Sequence, residues 1–164
     1  MNRISRFLLS WRIFLRTFTP PEKMTKSKGI ETRRLIRQLA RDHGFSSRFS
    51  KRSPLSLGEL ARVPRERGVY RIYSHHDLVY IGASCSDIRN RLNSHLESSL
   101  QGSSASNAEL SAILSEGFCE FDWLITPFPG WTEEFHLIEC EENEGAIPVC
   151  NTHKRSNLLF RCPY

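Results

Sequence analysis

The chain has 164 residues, enough for one domain with a core and an extension but not for two full domains. No stretch of about 18 or more uncharged apolar residues occurs, which excludes an ordinary bilayer-spanning helix. The formal charge of +5 is unevenly placed: residues 1–91 hold 20 of the 23 Lys and Arg, whereas residues 92–153 hold 11 of the 18 acids and no Lys or Arg.

Clustered cations suit phosphates, so a nucleic-acid or membrane partner is expected for the basic half, against the plainer reading of solvated surface charge. Five cysteines, Cys85, Cys119, Cys140, Cys150 and Cys162, lack C-x-x-C spacing. That argues against a disulfide framework or a zinc knuckle, and for a reducing, intracellular compartment. Residues 1–21 set Arg3, Arg6, Arg12 and Arg16 among Phe7, Leu8, Leu9, Trp11, Ile13, Phe14, Leu15 and Phe18. The pattern is that of an amphipathic targeting or membrane-surface segment, unless translation begins at Met24.

Pro20, Pro21 and the run to Gly29 read as a linker. From Glu31 to His43, Leu35, Ile36, Leu39 and Ala40 recur at helical spacing opposite Arg33, Arg34, Arg37 and Arg41, with Gly44 as the stop. The Ser-rich loop from Ser46 to Ser53 carries Arg48, Lys51 and Arg52, which can track a phosphate backbone or simply be solvated. Ser56-Leu57-Gly58-Glu59 is a capping box for a short helix closed by Pro64. Gly68 to Tyr73 and Leu78 to Gly82 are two β-rich runs around a polar turn, and predict a hairpin.

A helix follows from about Asp87 to Leu100, with Ile88, Leu92 and Leu96 on one face. Ser106-Asn107-Ala108-Glu109 caps another, carrying Leu110, Ile113 and Leu114 up to Gly117. Phe118 to Thr126 alternates as a third strand, with Phe121, Trp123 and Ile125 on one side. A last helix runs from Thr132 to about Glu144, with Phe135 and Ile138 inward and Gly145 as its end. The expected fold class is α/β (α+β): a small three-stranded antiparallel sheet flanked by helices, in the order β-β-α-α-β-α, with a basic helical N-terminal extension. The expected divisions are a leader and linker (1–29), the basic helical extension (30–63), a catalytic module (64–155) and a tail (156–164).

Gly68-Val69-Tyr70 followed by Tyr80-Ile81-Gly82 resembles the paired signature of the GIY-YIG nuclease superfamily. Arg91 and His95 resemble its helix-borne Arg and His, and Pro148-Val149-Cys150-Asn151 resembles its closing Pro-x-x-Asn. The resemblance covers roughly residues 60–153. It implies a stand-alone endonuclease domain that hydrolyses DNA phosphodiester bonds, with Tyr70 as general base and a helix glutamate holding one Mg²⁺ or Mn²⁺.

The residues also suit this chemistry in their own right. Phosphodiester cleavage needs an activated water, charge against the phosphorane-like transition state, and stabilisation of the leaving oxygen. Tyr70 and Tyr80 lie on neighbouring strands, where both hydroxyls can reach one patch. Arg91 and His95, four apart, share a helix face displaced from the packing stripe. The Arg would grip the scissile phosphate and the His would hydrogen-bond or shuttle a proton.

Of Glu133, Glu134, Glu139, Glu141, Glu142 and Glu144, the preferred metal ligand is Glu139. It stands twelve residues before Asn151, a spacing similar to the family's, and one turn after Phe135. Glu142 and Glu134 are the alternatives. A single carboxylate suits a metal that keeps most of its waters, and Asn151 would orient the phosphate or a ligand water. His75, His76, His136 and His153 read as surface residues.

Arg33, Arg37, Arg41, Arg48, Lys51, Arg52, Arg71 and Arg89 are the expected DNA contacts, the DNA being branched or damaged, with no base-reading motif in view. No small-molecule cofactor is expected. Two other readings compete: a catalytically inactive nucleic-acid-binding module on the same fold, and membrane contact through residues 1–21.

Overall fold

A computed structural model describes residues 26–43, 48–101 and 107–151. The expectations for residues 1–25, Gly44, Ser46, Ser106, His153, Cys162 and the 156–164 tail lie outside these residues. In chain order the elements are α1 (Lys26–His43), β1 (Ser53–Pro54), α2 (Leu57–Leu60), β2 (Gly68–Ser74), β3 (Asp77–Ser84), α3 (Ile88–Gln101), α4 (Ala108–Ser115), β4 (Cys119–Ile125) and α5 (Pro129–Glu144). Compact units divide at Arg33/Arg34, inside α1; the sheet and the later helices belong to the second unit. No helix among the described residues is long and apolar enough to cross a membrane.

The α+β reading holds, with four antiparallel strands in the order β1-β4-β2-β3 rather than three. The additional strand lies in the segment expected to be a loop. Ser53 pairs with Phe121 and Pro54 with Glu120, and Ser50 N donates to Trp123 O at 2.8 Å. Proline is tolerated there because β1 is an edge strand. Two helices start earlier than expected. α1 begins at Lys26, inside the stretch read as linker, and α5 begins at Pro129. Proline at the first helical position gives up no intrahelical hydrogen bond.

The β2–β3 hairpin turns on His75 and His76, both at positive φ (49° and 75°), as a two-residue turn of the type I′ kind demands. Between Ile72 and Tyr73 the register shifts by one, leaving Val79 as a bulge residue. Strand alternation then sorts the side chains onto two faces. Tyr70, Ile72, Tyr80 and Phe121 pack with Ile88, Leu92, Leu110 and Leu114 under α3 and α4. Val69, Ile81 and Leu137 pack on the other face, under α5.

The stripe Ile88, Leu92 and Leu96 faces the sheet as the periodicity predicts. On α5, Ile138 is buried as expected, whereas Phe135 is half-buried and Leu137 takes the inward position. Cys119, Cys140 and Cys150 carry free thiols, while Cys85 is disulfide-bonded, a single bridge rather than the framework that the spacing argues against.

Candidate active site

The two glycines of the paired triplets are fixed by space rather than by turn geometry. A Cβ on Gly82 would lie 2.5 Å from the Tyr70 hydroxyl, and one on Gly68 would lie 2.2 Å from Leu124 O. Real Cβ atoms do not approach so closely, so a side chain at either position would push the strands or the phenol aside. Tyr70 therefore lies across its cross-strand partner Gly82, and Gly82 allows the phenol to turn toward α3.

Asp87 caps α3 through Asn90 N (2.9 Å), and Ile88 N is bonded to Glu66 O (2.9 Å), which sets the helix axis against the sheet. Two turns on, His95 Nε2 meets the Tyr70 hydroxyl at 2.8 Å, with His95 9 % exposed and Tyr70 fully buried. The Tyr80 ring completes the group, its centroid 6.1 Å from Tyr70 and 5.6 Å from His95.

Burial, and then the Arg91 charge, lower the His95 pKa to about 4, so the imidazole is neutral at neutral pH. In the tautomer with Nε2 bare, the ring accepts a hydrogen bond from the Tyr70 hydroxyl. Burial pushes Tyr70 well above the usual phenol range, and Tyr80 up as well, with Arg91 pulling both back by charge and hydrogen bonding. Desolvation works against the Arg91 charge, but the two phenols outweigh it and the guanidinium stays protonated. Among the described residues no carboxylate is ion-paired with Arg91.

The acid that joins this group is Glu133, not Glu139. Thr132, fully buried, donates to Phe128 O (2.9 Å) and shares a hydrogen bond with Thr126 Oγ1 (3.1 Å). This pins the first turns of α5 to the end of β4 and holds Glu133 near the phenols, both of which feel its charge. Glu133 is 5 % exposed, and burial first, then Glu134, raise its pKa to about 8 against the pull of Arg91.

Glu139 is exposed and bonded to His136 Nδ1 at 3.0 Å. With Arg71, His136 and Ile147 it lines an open cleft of about 750 Å³ on the other face of the sheet. The reason is which face of α5 turns inward: Leu137 is buried rather than Phe135, and Glu133, one turn before Leu137, shares its stripe whereas Glu139 does not. The other glutamates considered are placed elsewhere as well. Glu142 pairs with Arg37, and Glu134 sits beside Glu133 and raises its pKa.

Asn151 also has a different task from the one expected. Its Oδ1 accepts Ile81 N–H (2.9 Å) and its Nδ2 donates to Ile81 O (2.7 Å). Cys150 N donates to Val79 O (3.0 Å), and Asn107 Nδ2 to Cys150 O (2.6 Å). The Pro148–Asn151 turn is thus clamped to edge strand β3, and the Asn151 amide supports the strand that carries Tyr80 instead of facing the phenols.

Several arginines expected on DNA are committed to the fold. Arg71 makes a two-pronged pair with Asp122 (2.9 and 2.6 Å) and lies over the Phe49 ring, so it is a structural cation. Arg89 Nε donates to Val63 O at 2.6 Å. Arg37 pairs with Glu142, Arg41 bonds to Gln38, and Arg52 stacks on Tyr73 beside Glu120. Arg48 and Lys51 are exposed, and Arg33 has a partner of its own. His136 is not the surface residue expected: its ring sits against Phe49 and Phe135, and its Nε2 is buried without a hydrogen bond.

Among the described residues no group of three His, Cys, Asp or Glu side chains forms a metal cage. Of the residues around the phenols Glu133 fits a divalent ion: it is a nearly buried carboxylate that makes no ion pair among the described residues, a costly arrangement that a hydrated Mg²⁺ or Mn²⁺ would relieve. Comparison with curated proteins and with solved structures gave no match. Residues 66–143 match the family model of the GIY-YIG catalytic domain, which spans β2 through nearly all of α5 and contains Tyr70, Tyr80, Arg91, His95 and Glu133. Over residues 66–143 the chain is thus similar to the GIY-YIG catalytic domain, whose fold is of nuclease type.

Proposed function

We propose that the protein is a metal-dependent endonuclease that hydrolyses DNA phosphodiester bonds. The observation that carries this reading is the meeting of a phenol–imidazole hydrogen bond, a guanidinium without a carboxylate ion pair among the described residues, and a nearly buried carboxylate within one family-matched fold. A module that only bound DNA would have no use for the cost of burying Glu133.

In this mechanism Arg91 holds the scissile phosphate through two guanidinium donors and neutralises charge as the water attacks. Tyr70 takes a proton from that water while passing its own to His95 Nε2, so neither phenolate nor free hydroxide has to accumulate. The imidazole is poised for this, because it is neutral at rest and accepts the proton only as charge builds on the phosphate. Tyr80, edge-on to His95, keeps bulk water from the relay. Glu133 would hold a divalent ion, which when bound would supply positive charge against the transition state and the leaving oxygen.

Incubating nicked, branched and duplex DNA with Mg²⁺ or Mn²⁺ tests the proposal. Cleavage of at least one substrate is expected, with a loss of ~10²–10³-fold or more for Arg91→Ala. An inert wild type that binds all of them would leave the binding-module reading in its place.

A further inference from the structure

The loop between α2 and β2 carries a second set of cations that the site itself does not use. Arg65 and Arg67 are exposed, and among the described residues neither makes an ion pair or a side-chain hydrogen bond. Their neighbours differ: Arg62 is tied to Glu59 at 2.8 Å, Arg89 to Val63 O and Arg71 to Asp122. Glu66, between the two, is the one acid of the loop, and it is exposed.

The loop's main chain is fixed at three points. Arg89 Nε reaches Val63 O (2.6 Å), Ile88 N reaches Glu66 O (2.9 Å) and Thr126 N reaches Arg67 O (3.4 Å). The first two anchors come from α3, which carries Arg91 and His95, and the third from the end of β4, which leads into Glu133. Arg65 and Arg67 are therefore held in register with the site rather than sampling solvent on a free loop.

Resting on the endonuclease reading above, we infer that Arg65 and Arg67, on a loop tied to the helix that carries Arg91, grip backbone phosphates of the bound DNA beside the site. Two phosphates neutralised there release the counterions they had condensed, which makes this grip salt-dependent and independent of base sequence.

The test uses the full chain and a fluorescein-labelled DNA duplex without divalent metal, binding being followed by anisotropy across a salt series. For R65Q/R67Q the slope of log affinity against log salt should become shallower by roughly 1.8, which is roughly 60-fold weaker binding at ~0.1 M salt and convergence with wild type near ~1 M. R65K/R67K, which keeps the charges, should keep the slope.

An R65Q/R67Q protein with the wild-type slope overturns the inference, as does a Gln variant weakened equally at every salt concentration. The two readings fail separately. A wild type that binds with a steep slope but does not cut with Mg²⁺ or Mn²⁺ refutes the nuclease and not this surface. One that cuts while R65Q/R67Q retains its full slope refutes the surface and not the nuclease.

Discussion

Glu133→Gln should make the protein more stable and less active at once, and the size of the gain follows from the carboxyl's surroundings. Burial raises its pKa from 4.5 to about 8, because the charged form is poorly solvated in the folded state. In the unfolded chain the group ionises near its ordinary value, so the folded state binds the extra proton between those two limits. Its contribution to stability is fully present below pH ~4.5 and is lost as the pH rises through ~8, by ~5 kcal/mol at ~1.4 kcal/mol per unit.

Glutamine has the same shape and no proton to lose, so its stability should not fall over that range. At ~2–4 °C per kcal/mol, the variant should melt ~10–20 °C above wild type at pH ~8.5 and together with it at pH ~4. His95 acts in the opposite direction. With its pKa lowered to about 4, it costs stability as the pH falls below ~6.5, but it does so in both proteins and cancels in the difference. The assay is thermal unfolding across this pH range without divalent ions, repeated with Mg²⁺, which should raise the wild-type melting temperature and leave the variant's unchanged. Parallel pH profiles for the two proteins would refute the claim that an uncompensated buried carboxylate sits at this position.

Gly82→Ala places a methyl against the Tyr70 hydroxyl, so it should cost ~1–3 kcal/mol in denaturant unfolding and abolish the Tyr70–His95 hydrogen bond. Cleavage should drop with it, and a variant of wild-type stability would contradict the close approach. Asn151→Ala leaves the Ile81 N–H and C=O without their partner at the sheet edge, a loss of ~2 kcal/mol that should appear as fast hydrogen exchange of the Ile81 amide. Replacing His75 with Asn and His76 with Gly suits the positive φ of both turn positions and should relieve up to ~1–2 kcal/mol of left-handed strain each, offset at position 76 by ~0.5–1 kcal/mol of unfolded-state freedom, without altering cleavage.

Much of this arrangement is legible in the sequence, and its failures have identifiable causes. The hairpin, the Ile88–Leu92–Leu96 stripe, the facing of Phe121, Trp123 and Ile125, and the glycine ends at Gly117 and Gly145 all follow from periodicity and cap chemistry. The fourth strand does not, because a two-residue edge element containing Pro54 is held by long-range pairing to β4 and has no local pattern of its own.

Glu133 rather than Glu139 lies beside the phenols for a local reason. Taking Phe135 as inward turns Glu139, one turn later, toward the sheet, whereas the buried residue is Leu137, and the glutamate one turn from it on that stripe is Glu133. The roles of Arg71 and Asn151 could not have been read from composition. The first depends on Asp122, 51 residues away, and the second on the main chain of Ile81, 70 residues away.

Whether Arg91 and Glu133 act within one catalytic centre is decided most directly by a double-mutant cycle on cleavage rate. Arg91→Ala, Glu133→Gln and the double variant are measured by single-turnover cleavage of a labelled DNA substrate with saturating Mn²⁺. Residues that act as a unit are non-additive, so each single variant should lose ~10²-fold or more and the double variant should lose little beyond the worse single one. Losses that multiply in the double variant, or a single variant that cuts at the wild-type rate, would contradict a shared site.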